Sequence, residues 1–158
     1  DELNAVVLEA VNLFRAGHEK IHFDLQLGDK LPLLKLDRSQ MKRALINLFD
    51  NAVAAMAGEG RIEVLTVYDP TRGLFRVGVS DEGCGIQESA YQQLFEPNFS
   101  TKIGGTGLGL AIVQRIVADH GGVVRVSANS PRGTRFSIEF PDSLAVTDKA
   151  LRRPEETV

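Results

Sequence analysis

Cysteine and long apolar runs are both scarce in this sequence, and each scarcity excludes a class of protein. The single cysteine, Cys84, excludes an internal disulfide and a multi-cysteine zinc site, and it fits a reducing compartment such as the cytoplasm. No apolar stretch approaches the length of a membrane-spanning helix, so we expect no membrane contact by this segment. The net charge of -3 argues against nucleic-acid binding, although local cations and backbone N–H groups could still hold a polyanionic ligand.

The remaining composition is that of an ordinary globular protein. Hydrophobic residues make up 43% and charged residues 25% of the 158 residues, which is enough chain for one domain with its own core. Because the sequence begins with Asp1 rather than methionine, we expect it to be a piece of a longer protein. Residues 142–158 are polar with little apolar pattern, so we expect a folded domain over residues 1–141 followed by a disordered tail.

Hydrophobic periodicity predicts an α+β fold. Apolar residues at helical spacing predict helices over residues 3–16, from a cap at Asp37 or Ser39 to about Ala57, near 88–95 and over 108–120. Alternating apolar residues predict strands over residues 20–27, 61–68, 74–80, 123–128 and 134–140. We expect these elements to form a two-layer α/β sandwich, in which a mixed, mostly antiparallel sheet of about five strands carries helices on one face.

The long helix after Asp37 has two asparagines on the side opposite its predicted apolar stripe. Asn47 and Asn51 are four residues apart, so their carboxamides project in the same direction. An amide oxygen is a hard ligand suited to Mg²⁺, and the small side chains of Ala44 and Ala54 leave room beside it for a bulky ligand. The alternative is an ordinary solvated helix face, which is the more common arrangement for two asparagines alone.

A carboxylate and two glycines follow the strand predicted over residues 74–80. Asp81 ends the apolar strand, and Gly83 and Gly85 come next. A carboxylate at this place can accept a hydrogen bond from an exocyclic amine such as that of adenine, and glycines let a flat base approach the backbone. A common turn has the same composition. The dinucleotide-binding fingerprint is excluded because no third glycine follows at the required spacing.

A glycine-rich segment leads directly into the helix predicted over residues 108–120. Glycines allow several backbone N–H groups to turn inward, the helix N-terminus adds partial positive charge, and Lys102 lies just upstream as a cation. This combination suits a triphosphate. A flexible linker would also be rich in glycine, but linkers rarely lead straight into an amphipathic helix. Residues 96–107 have no periodicity, so we expect a lid that becomes ordered on binding nucleotide.

Together these segments resemble the histidine-kinase branch of the ATPase superfamily that includes gyrase, the Hsp90 chaperones and the mismatch-repair MutL proteins. The matching segments are Asn47–Ala52 (N box), Asp81–Ile86 (G1 box), Leu94–Lys102 (F box), Gly105–Leu110 (G2 box) and Arg132–Thr134. The resemblance covers about residues 1–141, and the F box is most similar to that of nitrogen-regulation-type sensor kinases. It implies the Bergerat-type ATP-binding fold.

The resemblance also implies that the ligands are ATP and Mg²⁺, and it implies a role for each matched position. Asn51 would ligate Mg²⁺, while Asn47 and Lys102 would act in catalysis, Asn47 by supporting the phosphates or the reacting group and Lys102 by contacting the γ-phosphate. Asp81 would accept a hydrogen bond from the adenine amine, with Thr134 assisting. The other residues implied to line or close the nucleotide site are Gly83, Gly85, Ile86, Phe95, Phe99, Thr101, Gly105, Thr106, Gly107, Leu108, Gly109 and Leu110.

The implied activity is transfer of the γ-phosphoryl group of Mg-ATP to a histidine on a dimerisation domain outside this chain, within two-component signalling. A response-regulator receiver domain would be the next partner, and the full-length protein would be a homodimer. An ATP-hydrolysing clamp of the same fold has a glutamate at the position of Asn47, and an amide cannot serve as that general base. An anti-sigma-type serine/threonine kinase stays open. A non-catalytic nucleotide-binding scaffold also stays open, because Ala54 stands where many relatives have a charged or amide side chain.

Two histidines near the start of the sequence are candidates for the phosphorylated residue. Neither His18 nor His22 lies in the family's pattern of a histidine followed by an acidic residue with a proline downstream. We therefore expect the acceptor histidine to lie outside this chain.

Overall fold

The computed structural model describes residues 2–29, 31–93 and 109–145. In them the chain forms three α-helices, which are α1 (Leu3–Arg15), α2 (Arg38–Ala55) and α3 (Gly109–Asp119). The β-strands are β1 (Ile21–Leu27), β2 (Gly60–Asp69), β3 (Leu74–Asp81), β4 (Val123–Ala128) and β5 (Thr134–Pro141). The helix expected near residues 88–95 is a 3₁₀ helix over Glu88–Gln93, and a second 3₁₀ turn spans Asp142–Leu144.

The five strands form one sheet in the order β1-β2-β3-β5-β4. Strands β1 and β2 are parallel, and the other neighbouring strands are antiparallel. Two parallel strands need a crossover connection, and α2 provides it between β1 and β2. The predicted fold class, a mixed and mostly antiparallel sheet in a two-layer sandwich, is confirmed.

Helix α2 lies in the middle of the helical layer, where it contacts both α1 and α3. It begins at Asp37, whose Oδ1 accepts a hydrogen bond from the Gln40 N–H at 3.1 Å, so Asp37 rather than Ser39 is the cap. Of the apolar stripe predicted on α2, Met41, Leu45, Leu48 and Ala52 are buried and Met56 is half-buried. Ala44 and Phe49 are fully buried as well, so Ala44 does not leave open space beside the asparagines as predicted. A helix flanked by two others buries a wider surface than the single apolar stripe that periodicity reveals.

The folded chain continues beyond residue 141. The Asp142 N–H donates to the Gly73 carbonyl at 2.9 Å, and Ala145 pairs with Leu34 in an isolated antiparallel bridge. Residues 142–145, which were predicted as the start of the tail, are therefore part of the fold, held by these backbone hydrogen bonds and by packing of Leu144 and Ala145 against the core. The rest of the predicted tail, residues 146–158, lies outside the described residues. Within those that are described, no helix has the length and apolarity needed to cross a membrane.

The sheet face opposite the helices carries a buried carboxylate between two arginines. Glu139 alternates in β5 with the core residues Ile138 and Phe140, and its side chain is only 8% exposed. Arg76, its register partner in β3, lies 3.1 Å away, and Arg125 in β4 forms a second, shorter ion pair. Burial alone raises the pKa of Glu139, but the hydrogen bonds and charges of Arg125 and Arg76 outweigh burial and lower that pKa below its usual range.

We predict that Glu139→Gln lowers the free energy of unfolding by about 1 kcal/mol at pH 7, a modest value because Arg125 is largely exposed to water. A lowered pKa in the folded state stabilises the protein above the unfolded-state pKa, and this stabilisation is lost as the pH falls through the folded-state pKa. Urea unfolding from pH 7 down to about pH 3 should therefore show the parent and the variant converging in acid. Glu59→Gln, at an exposed position, is the control. A difference between parent and variant that does not change with pH would contradict this account.

Candidate functional site

One line of residues along α2 connects the parts of the candidate site. Asn47, Asn51 and Ala55 are spaced four residues apart, so they lie on one side of the helix and cover about 12 Å of its length. The two asparagines were predicted to act together. Ala55 was not, and it determines where the loop after β3 lies.

At its C-terminal end, α2 contacts the loop after β3. The Cys84 N–H donates to the Ala55 carbonyl at 3.1 Å, which satisfies one of the carbonyls that a helix end leaves without an intrahelical partner. A Cβ atom added at Gly83 would lie 2.5 Å from the same carbonyl oxygen, closer than a real side chain can come. Glycine is therefore required at this position for packing against α2, whatever a ligand requires of it.

About two turns toward its N-terminus, α2 meets the start of α3. A Cβ atom added at Gly109, the first residue of α3, would lie 3.6 Å from Oδ1 of Asn47. The exit of the glycine-rich segment and the first predicted asparagine are thus neighbours. Leu110 follows in the first turn of α3 and is half-buried.

Asn51 lies on α2 between these two contacts. Its Nδ2 is buried and has no hydrogen-bond partner among the residues that the structure describes. A buried amide donor without a partner costs about 1–3 kcal/mol, so the atom suits a ligand that brings an acceptor. Rotating the carboxamide by half a turn exchanges its two polar atoms, and the same position then presents an oxygen to a cation. This chemistry fits both a phosphate oxygen and Mg²⁺.

The end of β3 and the start of β5 hold a buried carboxylate. Asp81 is 4% exposed, and its Oδ1 accepts from the Gly83 N–H at 2.9 Å and from the Thr134 N–H at 3.3 Å. The register of the two strands, with Ser80 opposite Arg135, brings Asp81 and Thr134 together. The structure therefore groups three of the predicted residues, Asp81, Gly83 and Thr134, within one hydrogen-bonded unit.

The loop between β4 and β5 supports this unit from outside. Asn129 donates from Nδ2 to the Asp81 carbonyl at 2.8 Å, and Arg132 donates from Nε to the Gly83 carbonyl at 3.0 Å. Gly133, which has a φ of 105°, comes so close to Asp81 that an added Cβ would lie 2.0 Å from its carbonyl oxygen. No role was predicted for Asn129 or Arg132. Only the matched segment Arg132–Thr134 indicated that this loop belongs to the site.

Two further predicted residues complete the loop after β3. Gly85 has a φ of 77°, a left-handed conformation that favours glycine, and Ile86 after it is half-buried. Ala54 is exposed on α2. The described residues contain no cluster of histidine, cysteine, aspartate or glutamate able to hold a metal ion.

Several predicted residues lie outside the described part of the chain. They are Phe95, Phe99, Thr101, Lys102, Gly105, Thr106, Gly107 and Leu108, together with the lid expected over residues 96–107. Their roles stay predictions.

The fold and the grouped polar residues define a class of protein: a single α/β sandwich domain whose polar site lies between one helix and the loops around it. The sequence profile of the histidine kinase-, DNA gyrase B-, and HSP90-like ATPase family matches residues 36–144. The chain belongs to this family.

Its curated relatives are sensor kinases. The chain is 35% identical to the signal transduction histidine-protein kinase AtoS of Escherichia coli K12 over 88% of its own length and 23% of that protein. It is 32% identical to the sensor histidine kinase ZraS of the same strain over 93% of its length and 32% of that protein. The chain thus spans a third or less of these relatives. Neither name indicates a nitrogen-regulation-type sensor kinase, so that assignment of the subfamily stays a prediction.

Solved structures agree with these relatives. The catalytic domain of histidine kinase ThkA is 33% identical, with a TM-score of 0.78 over 90% of this chain and 93% of that one. Full-length ShkA in complex with AMPPNP is 28% identical, with a TM-score of 0.79 over 93% of this chain and 31% of that one. The predicted resemblance is confirmed, and the chain is a histidine kinase ATPase domain of the kind found in two-component sensor kinases.

We predict that Gly83→Ala destabilises the domain by about 2 kcal/mol even without any ligand, because the new methyl group would collide with the last turn of α2. Gly17→Ala is the matched control, since a Cβ atom there meets nothing within 4 Å and its cost should stay within about 0.5 kcal/mol. Chemical denaturation of the three proteins measures the difference. Equal stability of the Gly83→Ala variant and the parent would mean that the loop leaves room for a methyl group beside the Ala55 carbonyl, which contradicts the close contact.

Proposed function

We propose that this domain binds Mg-ATP along the side of α2 that carries Asn47 and Asn51, and that it transfers the γ-phosphoryl group to a histidine on a helical dimerisation domain outside the chain. The observation that supports this most directly is the buried, unpartnered Nδ2 of Asn51. It lies between the loop that holds Asp81 and the start of α3 near Asn47. A polar donor in that position fits a ligand that extends along the helix.

The adenine base would bind at the Asp81 end. A carboxylate has about four acceptor sites, so the N–H groups of Gly83 and Thr134 can orient it while the exocyclic amine of adenine donates to it as well. Guanine presents a carbonyl oxygen where adenine has this amine, and a carboxylate would repel it. The base contact would therefore also select adenine over guanine.

The phosphates would bind at the other end, where Gly109 begins α3 beside Asn47. The N-terminus of a helix attracts anions through its partial positive charge and its unpaired N–H groups. Asn51 would offer its amide oxygen to Mg²⁺, and the ion would supply neutralisation of the phosphate charge. Lys102 would contact the γ-phosphate, as the family resemblance implies. In phosphoryl transfer the protein mainly positions groups and neutralises charge, and these residues are of the kind that does so.

The amide of Asn47 favours transfer to a protein over hydrolysis. A water molecule attacking phosphorus is best activated by a group that accepts its proton, and a carboxamide does not accept one near neutral pH. The domain would therefore retain ATP until an acceptor histidine is presented. ThkA has been solved in complex with the response regulator protein TrrA, and that chain is 30% identical with a TM-score of 0.76. By analogy we propose a receiver domain as the next partner and a homodimer as the full-length state.

We predict that Asn51→Asp weakens Mg-ATP binding about tenfold to a hundredfold while the domain stays folded. The carboxylate cannot donate to a phosphate oxygen, and it adds a negative charge beside a polyanion. Calorimetric titration with and without magnesium measures the affinity, and circular dichroism checks the fold. Gln40→Glu makes the same amide-to-carboxylate change at an exposed position of α2 and should bind like the parent. Unchanged affinity in folded Asn51→Asp would falsify the placement of the phosphates.

The phosphotransfer itself is tested with γ-labelled ATP. The chain alone should bind ATP without labelling itself, because its early histidines cannot reach the site in line. His18 stacks on Phe14 with ring centroids 3.9 Å apart, and His22 alternates with buried Ile21 and Phe23. His22 therefore points to the sheet face opposite α2. A histidine-bearing helical domain of such a kinase, fused upstream or added in trans, should acquire label that is acid-labile and base-stable.

The same experiment separates the alternatives. Acid-stable label on serine or threonine would favour the anti-sigma-type kinase. Rapid release of free phosphate by the chain alone would favour the ATP-hydrolysing clamp. Reproducible labelling of His18 or His22 would overturn the assignment of the acceptor to another domain.

A further inference from the structure

A histidine at the end of α3 ties that helix to the beginning of α2. The Asp37 backbone N–H donates to Nε2 of His120 at 2.9 Å. The other ring nitrogen, Nδ1, lies 2.8 Å from the Ile116 carbonyl oxygen in the last turn of α3. Asp37 is also the cap of α2, so one imidazole connects two helix ends.

These two contacts determine the protonation state of the ring. A backbone N–H can only donate, so Nε2 of His120 must be the unprotonated, accepting nitrogen. A carbonyl oxygen can only accept, so Nδ1 must carry the proton. Both hydrogen bonds are therefore formed by the neutral ring alone. Protonation would place an N–H of the ring against the N–H of Asp37 and break the connection between α2 and α3.

This connection lies at one end of the contact between the two helices, and the candidate site lies at the other. Asp37 at the start of α2 contacts His120 after the end of α3. Asn47, farther along α2, lies next to Gly109 at the start of α3. The helices therefore run antiparallel, with a hydrogen bond between them near one end and Gly109 next to Asn47 near the other. Loosening the His120 end would let α3 shift along or away from α2, which changes how closely Gly109 approaches Asn47.

We propose that His120 is a positioning residue for nucleotide binding: in its neutral form it holds α3 against α2, and its protonation weakens nucleotide affinity. The proposal rests on the proposed function, because it assumes that the phosphates bind where α3 begins. It adds a dependence on pH, because the neutral ring accepts from the Asp37 N–H and the protonated ring cannot.

Among the described residues, the Asp37 N–H is the one hydrogen-bond partner of Nε2 of His120. The Asp37 carboxylate turns to the Gln40 N–H. Strand β5 presents the Phe140 ring, in an edge contact with centroids 6.2 Å apart. Charged residues on the adjoining segments include Lys35 before α2, Arg38 paired with Glu9 of α1, Arg115 and Asp119 in α3, and Glu139 paired with arginines on the outer face of the sheet.

His18 provides a matched control within the same chain. Like His120, it follows the end of a helix, and its Nδ1 lies 2.9 Å from the carbonyl oxygen four residues earlier, that of Phe14. Among the described residues its Nε2 has no hydrogen-bond partner. A positive charge at a helix C-terminus is favourable for both histidines, and only His120 faces a donor that opposes it. A comparison of variants at His120 and His18 therefore separates the effect of the Asp37 contact from that of a histidine at a helix end.

The test uses the full chain and compares the parent with His120→Gln and His18→Gln. A glutamine carboxamide oxygen can accept from the Asp37 N–H at any pH. The His120→Gln variant should therefore keep this hydrogen bond and lose its dependence on pH. Affinity for Mg-AMPPNP is measured by calorimetry at pH 8 and pH 6. Phosphate groups also titrate in this range, so the compared quantity is the ratio of the parent's affinity to the variant's. We expect the parent to lose about threefold in affinity relative to His120→Gln on going to pH 6, and His18→Gln to behave like the parent.

A second measurement does not need nucleotide. Nitrogen NMR of the free chain should find His120 as the Nδ1–H tautomer at pH 8, and the Asp37 amide should exchange faster with solvent as the ring becomes protonated. Equal pH dependence of affinity in parent and His120→Gln would overturn the positioning role. If the parent binds no nucleotide at either pH, the proposed function fails and the positioning role fails with it. If the expected NMR changes of His120 and Asp37 are still seen in that case, His120 connects α2 to α3 but has no role in nucleotide binding.

Discussion

Helix α2 has to pack against its neighbours and still leave one row of polar side chains available, and the rest of the site depends on how it does both. Its buried side is wide because α1 and α3 flank it and the sheet lies beneath it. Beside this buried side runs the line of Asn47, Asn51 and Ala55, which lies next to α3 and the loop after β3. Each member has a separate task, since Asn47 meets α3, Asn51 keeps an unpartnered donor, and Ala55 receives the loop after β3.

The opposite wall of the site is built from backbone rather than from side-chain packing. Asp81 is held by N–H groups of Gly83 and Thr134, and the two carbonyls of that loop accept from Asn129 and Arg132. Fixed dipoles of this kind orient a carboxylate without requiring it to reorganise when a ligand arrives. Gly83 and Gly133 lie where the backbones come closest, so the fold requires glycine at these positions even without a ligand.

The two faces of the sheet differ in the charged and polar groups that they carry. The outer face pairs Glu139 with Arg76 and Arg125, which satisfies a nearly buried carboxylate and contributes to stability in a manner that depends on pH. On the helical side, the candidate site combines the Asp81 carboxylate with the amides of Asn47 and Asn51 and with backbone N–H groups. An amide oxygen can ligate a magnesium ion and an N–H group can donate to a phosphate oxygen, so these neutral groups suit the proposed Mg-ATP ligand.

Local chemistry along the chain was sufficient to predict the fold class, the helix and strand order, and Asp37 as one of two candidate caps, because periodicity and capping depend on near neighbours in sequence. The ligand-binding roles of Asn51 and Asp81 stay predictions. The burial of Ala44, the support from Asn129 and the ordered residues after 141 depended on tertiary structure. Each is decided by contacts between residues far apart in the chain, such as Asn129 with Asp81. The same holds for the protonation state of His120, which follows from a donor on Asp37, a residue that is distant in sequence and that only packing brings next to the ring.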